Sequence, residues 1–151
     1  MKVVLNDAEQ RLARFIAQRR NQLCEEKGLK DSSFRESAKG ETIHLEGAGA
    51  ELAFCKVFNL YPELEMNWSD KDVVLHCGIT ADIKSTKYLS GHLITPLWKT
   101  EKSCDIYVLL VGAFPEYEIV GFATKEQLFS SIKDFGRGDT FALAQRELCK
   151  I

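Results

Sequence analysis

Residues 72–84 read DVVLHCGITADIK. Apolar and polar positions alternate with a period of two around Gly78, which predicts a β-hairpin with Gly78 near its turn. Side chains at i and i+2 of a strand project to one face, so Asp82 and Lys84 point together while Ala81 and Ile83 point away. If Asp72 opens the first strand of the hairpin, its carboxylate lies across from that pair. A cross-strand ion pair on a solvated sheet face is the plain alternative.

Upstream, GAGAELAFCKVFNL (47–60) predicts a helix that ends before Pro62. Glu51 falls in line with Phe54, Cys55 and Phe58, which sets a carboxylate on or beside the apolar stripe. The plain reading of that acid is a boundary glutamate whose stem packs while its head reaches water. Residues 6–27 predict an amphipathic helix, with Asn6 as cap, Glu9 three residues on, Ala8, Leu12, Phe15, Ile16 and Leu23 recurring at helical spacing, and Gly28 as the left-handed stop. The polar stretch from 28 to 46 predicts a loop.

Downstream, HLIT predicts a short extended piece, and DIYVLLVGAF (105–114) is apolar at nearly every position, as expected of a central strand covered on both faces. YEIVGFA (117–123) predicts another strand. TKEQLFSSI predicts a helix opening on Thr124 with Gln127 in capping-box position. The tail DTFALAQRELCKI is expected to form a last edge strand that tucks Leu148 and Ile151 into the core. The order of elements predicts an α/β sandwich with a mixed β-sheet flanked by helices, one domain over 1–151.

Composition sets the outer bounds. The chain has 151 residues, 45% hydrophobic and 28% charged, and no apolar run approaches the roughly 20 residues that span a bilayer. No secretory leader is evident in MKVVLNDAEQ. Five cysteines, an odd number without a CxxC, suggest reduced thiols. The expectation is a soluble, cytoplasmic protein with no membrane partner. A net charge of −2 argues against coating nucleic acid by bulk electrostatics. Residues 1–30 nevertheless carry Lys2, Arg11, Arg14, Arg19, Arg20, Lys27 and Lys30 against Asp7, Glu9, Glu25 and Glu26, so Arg19 and Arg20 are candidates for phosphate contact beside the plain reading of a solvated helix face.

If the hairpin forms, Asp72, Asp82, Lys84 and the helix-borne Glu51 converge at one end of the sheet. Two or three carboxylate oxygens plus waters suit Mg²⁺, which polarises a phosphodiester and acidifies a bound water. Lys84 would meet the reacting phosphate, either offsetting developing charge or acting on the attacking water. The tripeptide DIK is weak evidence alone; the acid before the hairpin, Glu51 upstream and the long apolar strand downstream give it context.

With GAGAELAF before it and CDIYVLLVG after it, DVVLHCGITADIKST resembles the PD-(D/E)XK nuclease superfamily, with its restriction-endonuclease-like fold, and in particular the small single-domain members of bacteriophages and prophages. The resemblance covers about residues 45–125. It implies that Asp72 fills the first-strand acid, Asp82 the second acid, Lys84 the lysine and Glu51 the helix acid that binds the metal directly or through water, with the main-chain carbonyl of Ile83 also facing the metal. No proline precedes Asp72, where Lys71 stands, and Asp70 competes for the role of first acid. The implied activity is Mg²⁺-dependent hydrolysis of DNA, Mn²⁺ substituting, leaving 5′-phosphate ends; RNA stays open as a substrate, and a homodimer is admitted. If the chain is phage-encoded, the compartment is the host cytoplasm.

Thr86, Lys87, Tyr88 and His92 follow the DIK strand and are candidates for substrate contact, Tyr88 by stacking on a base, a plain surface loop being the alternative. His44, His76 and His92 are too scattered for a zinc motif; His76, in line with Asp72 and Val74, is a candidate to line the site, but a turn-proximal structural histidine is the expected reading. Trp68 and Trp98 are expected to pack internally rather than stack on bases. GRGD (136–139) predicts a turn. Two other classes remain beside the nuclease: a non-catalytic nucleic-acid-binding module on the same fold, and an interaction protein whose Asp82 and Lys84 are an ordinary surface pair.

Overall fold

The strand Ile106–Ala113 organises the architecture, because its alternate side chains enter two different cores. Val108 and Leu110 join one buried cluster and Tyr107, Leu109 and Val111 the other, so the whole run must be apolar. In the computed structural model, which describes residues 1–28, 40–64 and 71–151, the elements in chain order are β1 (Lys2–Val4), α1 (Asp7–Glu26), α2 (Gly40–Phe58), β2 (Val73–Val74), β3 (Thr80–Thr86), β4 (Leu93–Thr95), β5 (Ile106–Ala113), β6 (Glu116–Thr124), α3 (Lys125–Phe129), β7 (Ile132–Asp134) and β8 (Asp139–Leu143). A 3-10 helix, Leu97–Lys102, connects β4 to β5.

The main sheet has the order β1-β6-β5-β3-β2 and is mixed: β3 and β5 run parallel, and the other pairs are antiparallel. Helices α1 and α2 pack against each other and share one core with Ala81, Ile83, Val108, Leu110 and Ile119. On the opposite face β4, β8 and β7 form a second, antiparallel sheet, and Leu93, Phe141 and Leu143 from it meet Leu128 of α3 over Tyr107 and Leu109. The class is therefore α/β with a mixed sheet. Among the described residues no helix is long and apolar enough to cross a membrane.

Local signals account for most boundaries. Asn6 accepts from the Ala8 and Glu9 amides while Glu9 answers from the Asn6 amide, and Gly28 stands at φ +61° after the last turn. Thr124 and Gln127 form the same box at α3. Gly78 sits at φ +86° in the β2–β3 turn, where the Leu75 amide donates to Ile79 and the Gly78 amide to Leu75. The GRGD segment closes the β7–β8 hairpin, with Asp134 accepting three successive amide hydrogens from Gly136, Arg137 and Gly138.

Several expectations are corrected. The segment read as a loop to residue 46 is helical from Gly40, and α2 ends at Phe58 rather than 60. Tertiary contacts override the weak local signal there: Glu46 accepts from the Phe114 amide and the Tyr117 hydroxyl, tying the early turns of α2 to β6. The buried face of α1 runs through Ala13, Ile16 and Ala17, leaving Phe15 62% exposed and Ala8 exposed, because small residues let the two helices approach. The tail is not one edge strand, and only Cys149 of its end bridges to Phe122 of β6. Its first part is β8, central in the second sheet; Leu148 is buried as expected, but Ile151 is exposed. Strands β1 and β7, three residues each, went unread because so short a segment shows no period.

Gly49 lies inside α2, where glycine ordinarily costs about 1 kcal/mol relative to alanine. A Cβ at that position would collide with the Tyr117 hydroxyl and the Phe114 ring. Overpacking costs about 1–3 kcal/mol, which exceeds the helical gain. Gly49→Ala is therefore expected to lower stability in urea denaturation; a variant as stable as the parent would show that the helix–sheet contact is loose.

Candidate functional site

Strand β2 is only two residues long, yet its ladder with β3 extends one residue further through Asp72. The Asp72 amide donates to the Ala81 carbonyl at 3.0 Å, and its side-chain Oδ2 accepts from the Ile83 amide at 2.7 Å. The carboxylate thus stands where the next backbone acceptor of a longer strand would be, beside residues 82–84. Backbone groups at i and i+2 of a strand face the same edge, so the Ile83 carbonyl also turns toward Asp72.

The Asp82 and Lys84 side chains meet as the period of two requires, with Lys84 Nζ 2.6 Å from Asp82 Oδ1. They lie on the β3 face shared with Tyr107 and Leu109, their register partners on β5. Asp82 is only 2% exposed, which removes the surface-pair reading; Lys84 keeps 32% of its side chain exposed and can reach an incoming ligand. Asp82 Oδ2 is buried without a hydrogen-bond partner, and the ammonium of Lys99, from the 3-10 helix, stands 3.5 Å from it.

Glu51 approaches from α2 and is not free to turn to water. Arg20 grips it through two parallel bonds, Nη1 to Oε1 at 2.8 Å and Nη2 to Oε2 at 2.7 Å. Arg20 lies one turn beyond Ala13, Ile16 and Ala17 on the inner face of α1, which explains why it points inward. It is therefore part of the site's framework rather than an outward phosphate contact, while Arg19 makes an exposed pair with Glu26 at 3.7 Å. The plain alternative, a boundary glutamate whose head reaches water, does not hold, because both carboxylate oxygens are engaged by Arg20.

The charges of the cluster are strongly interdependent. Burial, then repulsion from Glu51 and Asp82, pushes the Asp72 carboxyl up to about 8, against the opposing pull of Lys84 and the Ile83 amide. Burial alone would lower Lys84, but Asp82, Asp72 and Glu51 outweigh it and hold the ammonium above its ordinary value. Lys84 is accordingly a cation at neutral pH. Below Asp82, burial and then its charge push the Cys104 thiol up to about 11.

Among the described residues, no three Asp, Glu, His or Cys side chains are drawn together in ligating proximity. The donor chemistry still fits a hard cation. Asp82 Oδ2 is buried without a hydrogen bond, burial and then the neighbouring acids raise the Asp72 carboxyl, and the strand geometry turns the Ile83 carbonyl to the edge on which Asp72 stands.

Of the other candidates, Lys87 and Tyr88 stand in the loop after β3, Tyr88 exposed and the Lys87 ammonium 5.7 Å from its ring centre. His76 is exposed in the hairpin turn and does not line the site. His92 packs edge-on to Phe135, and His44 lies 3.7 Å from the Cys24 sulfur between α1 and α2. Trp98 is 60% exposed, contrary to the expected packing. Asp70 and Trp68 fall outside the described residues. Sequence reasoning missed Lys99, whose signal, a lysine just past a proline in a turn-rich connection, points to no strand or helix face. The chain matches no family model, no curated protein and no solved structure.

Two outcomes follow. Arg20→Ala would leave Glu51 buried and unpaired, at a cost of about 2–4 kcal/mol in denaturant unfolding; a negligible loss would mean that Glu51 swings freely to water. Because the folded-state pKa of Asp72 lies above its unfolded value, its contribution is fully present below about pH 4 and is lost as pH rises through about 8. Without divalent cation, the protein should lose stability over that window relative to Asp72→Asn, and added Mg²⁺ should recover it at pH 8. Parallel stability–pH curves for the two proteins would contradict the clustering of charge at Asp72.

Proposed function

We propose that the chain is a metal-dependent nuclease of the PD-(D/E)XK type, with a restriction-endonuclease-like arrangement of its sheet, that hydrolyses phosphodiester bonds of DNA. One observation carries the reading: Asp72 accepts from the Ile83 amide while the residues on either side of Ile83, Asp82 and Lys84, join at 2.6 Å. Asp72, Asp82 and the Ile83 carbonyl would hold Mg²⁺ or Mn²⁺, with Glu51 close enough for its charge to act on Asp72. When bound, such an ion polarises the phosphodiester and acidifies a water.

The chain's own groups supply the rest. Lys84, kept protonated by the surrounding acids, offsets the charge that grows on the phosphoryl oxygens as water attacks phosphorus and the bond to the 3′ oxygen breaks. That favours the charge-stabilising role over the role of base, since an ammonium has no lone pair with which to accept a proton. Asp82 orients Lys84, and Arg20 fixes Glu51 beside Asp72. The products would carry 5′-phosphate and 3′-hydroxyl ends.

A second reading, a nucleic-acid-binding module without chemistry, is favoured by one feature: Glu51 and Asp82 are already engaged by Arg20, Lys84 and Lys99. Incubation with plasmid, single-stranded DNA and RNA in Mg²⁺, Mn²⁺ or EDTA separates the two. Cleavage is expected in the metals alone and should be abolished by Asp82→Ala. Lys84→Ala should lose at least about 100-fold in turnover while its affinity for DNA in Ca²⁺ changes far less, because only one of several phosphate contacts is removed. Binding without any cleavage by the wild type would favour the module; cleavage by Lys84→Ala at the wild-type rate would end the proposed mechanism.

A further inference from the structure

The 3-10 helix between β4 and β5 sends two consecutive side chains into opposite surroundings. Lys99 is largely covered, its side chain 15% exposed and its ammonium 3.5 Å from Asp82 Oδ2. Trp98 is 60% exposed, although burying an indole is ordinarily among the most favourable uses of a side chain. The same Lys99 ammonium stands 5.8 Å from the centre of the Trp98 ring, so a single group links the buried carboxylate to the exposed indole. The arrangement recurs where β3 ends. Tyr88 is 59% exposed, with the Lys87 ammonium 5.7 Å from its ring centre, and the Gln145 amide braces the loop on the Leu89 and Gly91 carbonyls. Two elements that adjoin the Asp82–Lys84 pair thus each present an exposed aromatic ring with a lysine at its side.

We propose that Trp98 and Lys99 are a nucleotide-binding element for an unpaired nucleic-acid strand, Trp98 stacking on a base while Lys99 passes from Asp82 to a neighbouring backbone phosphate. Lys87 and Tyr88 receive a second nucleotide in the same manner. The inference rests on the reading of Asp82 and Lys84 as a phosphodiester site, and it names the form of the substrate. Inside a duplex both faces of every base are covered by neighbouring bases, so an exposed indole finds nothing to stack on. A single strand offers a free ring face at each nucleotide, and stacking is indifferent to sequence. A chain with net charge −2 also lacks the broad cationic field that grips a duplex without reading it, whereas stacking supported by a few well-placed ammonium groups needs no such field.

The test is fluorescence anisotropy of a labelled oligothymidylate and of its duplex with oligoadenylate, both in Ca²⁺. Intrinsic fluorescence is followed in parallel on Trp68→Phe, which leaves Trp98 as the sole tryptophan of the two in the chain. The single strand should bind more tightly than the duplex and quench Trp98. Trp98→Ala should weaken single-strand binding about fivefold to a hundredfold, with Trp98→Phe restoring most of it. Lys99→Ala should reduce the slope of log affinity against log salt by about 0.7, a change that a purely structural lysine would not produce. Equal affinity for the duplex, no quenching, or an unchanged Trp98→Ala overturns the proposal. If Trp98→Ala loses binding but the wild type cuts nothing in Mg²⁺ or Mn²⁺, the strand-binding element stands and the nuclease reading falls. If the wild type cuts duplex DNA and Trp98→Ala cuts it equally well, the reverse holds.

Discussion

The hydrogen bond from the Ile83 amide to the Asp72 carboxylate is the contact on which the candidate site depends. It lets a strand of two residues behave as though it were longer, and it does so with a side chain that carries a titratable group. A backbone carbonyl in that place would satisfy the same amide without bringing a charge to the notch. Because the acceptor is a carboxylate, it comes under the charges of Asp82, Lys84 and Glu51, and the electrostatics of the site follow from that one substitution of side chain for main chain.

Arg20 pairs with Glu51, and Lys84 and Lys99 pair with Asp82, while Asp72 feels the charges of Glu51, Asp82 and Lys84. These pairings are of two geometries. Arg20 holds Glu51 by a bidentate fork, which fixes orientation as well as charge. Lys84 and Lys99 are single-point partners of Asp82 and can leave it without dismantling either helix. The Arg20–Glu51 pair is thus fixed at two points, whereas the pairs nearest the proposed chemistry are each held at one.

The hairpin, the central strand and two capping boxes were legible in the sequence because each rests on a short-range rule. Alternation around Gly78, an unbroken apolar run at 106–111, Asn6 with Glu9 and Thr124 with Gln127 need no knowledge of distant residues. The direct meeting of Asp82 with Lys84 followed from the same alternation. The early turns of α2 were illegible because Glu46 is anchored by Phe114 and Tyr117, far away in the chain. Arg20 was misread as an outward cation, since pairing with Glu51 is decided by how α1 crosses α2 and not by either helix alone. Lys99 and the pairing of β4, β8 and β7 into a second sheet were lost for a similar reason: short strands and a 3-10 connection acquire their partners only from the face they cover.

In the proposed reading, Asp72 and Asp82 are one oxygen site whose acids are held together, against their mutual repulsion, for a cation. Calorimetric titration with Mg²⁺ or Mn²⁺ at pH 7, repeated in buffers of different ionisation enthalpy, measures both the binding and the protons it displaces. With Asp72 held at about 8, saturable binding should release close to one proton per ion, and the release should vanish in Asp72→Asn. Absence of saturable binding, or binding with no proton release by the wild type, would contradict the account.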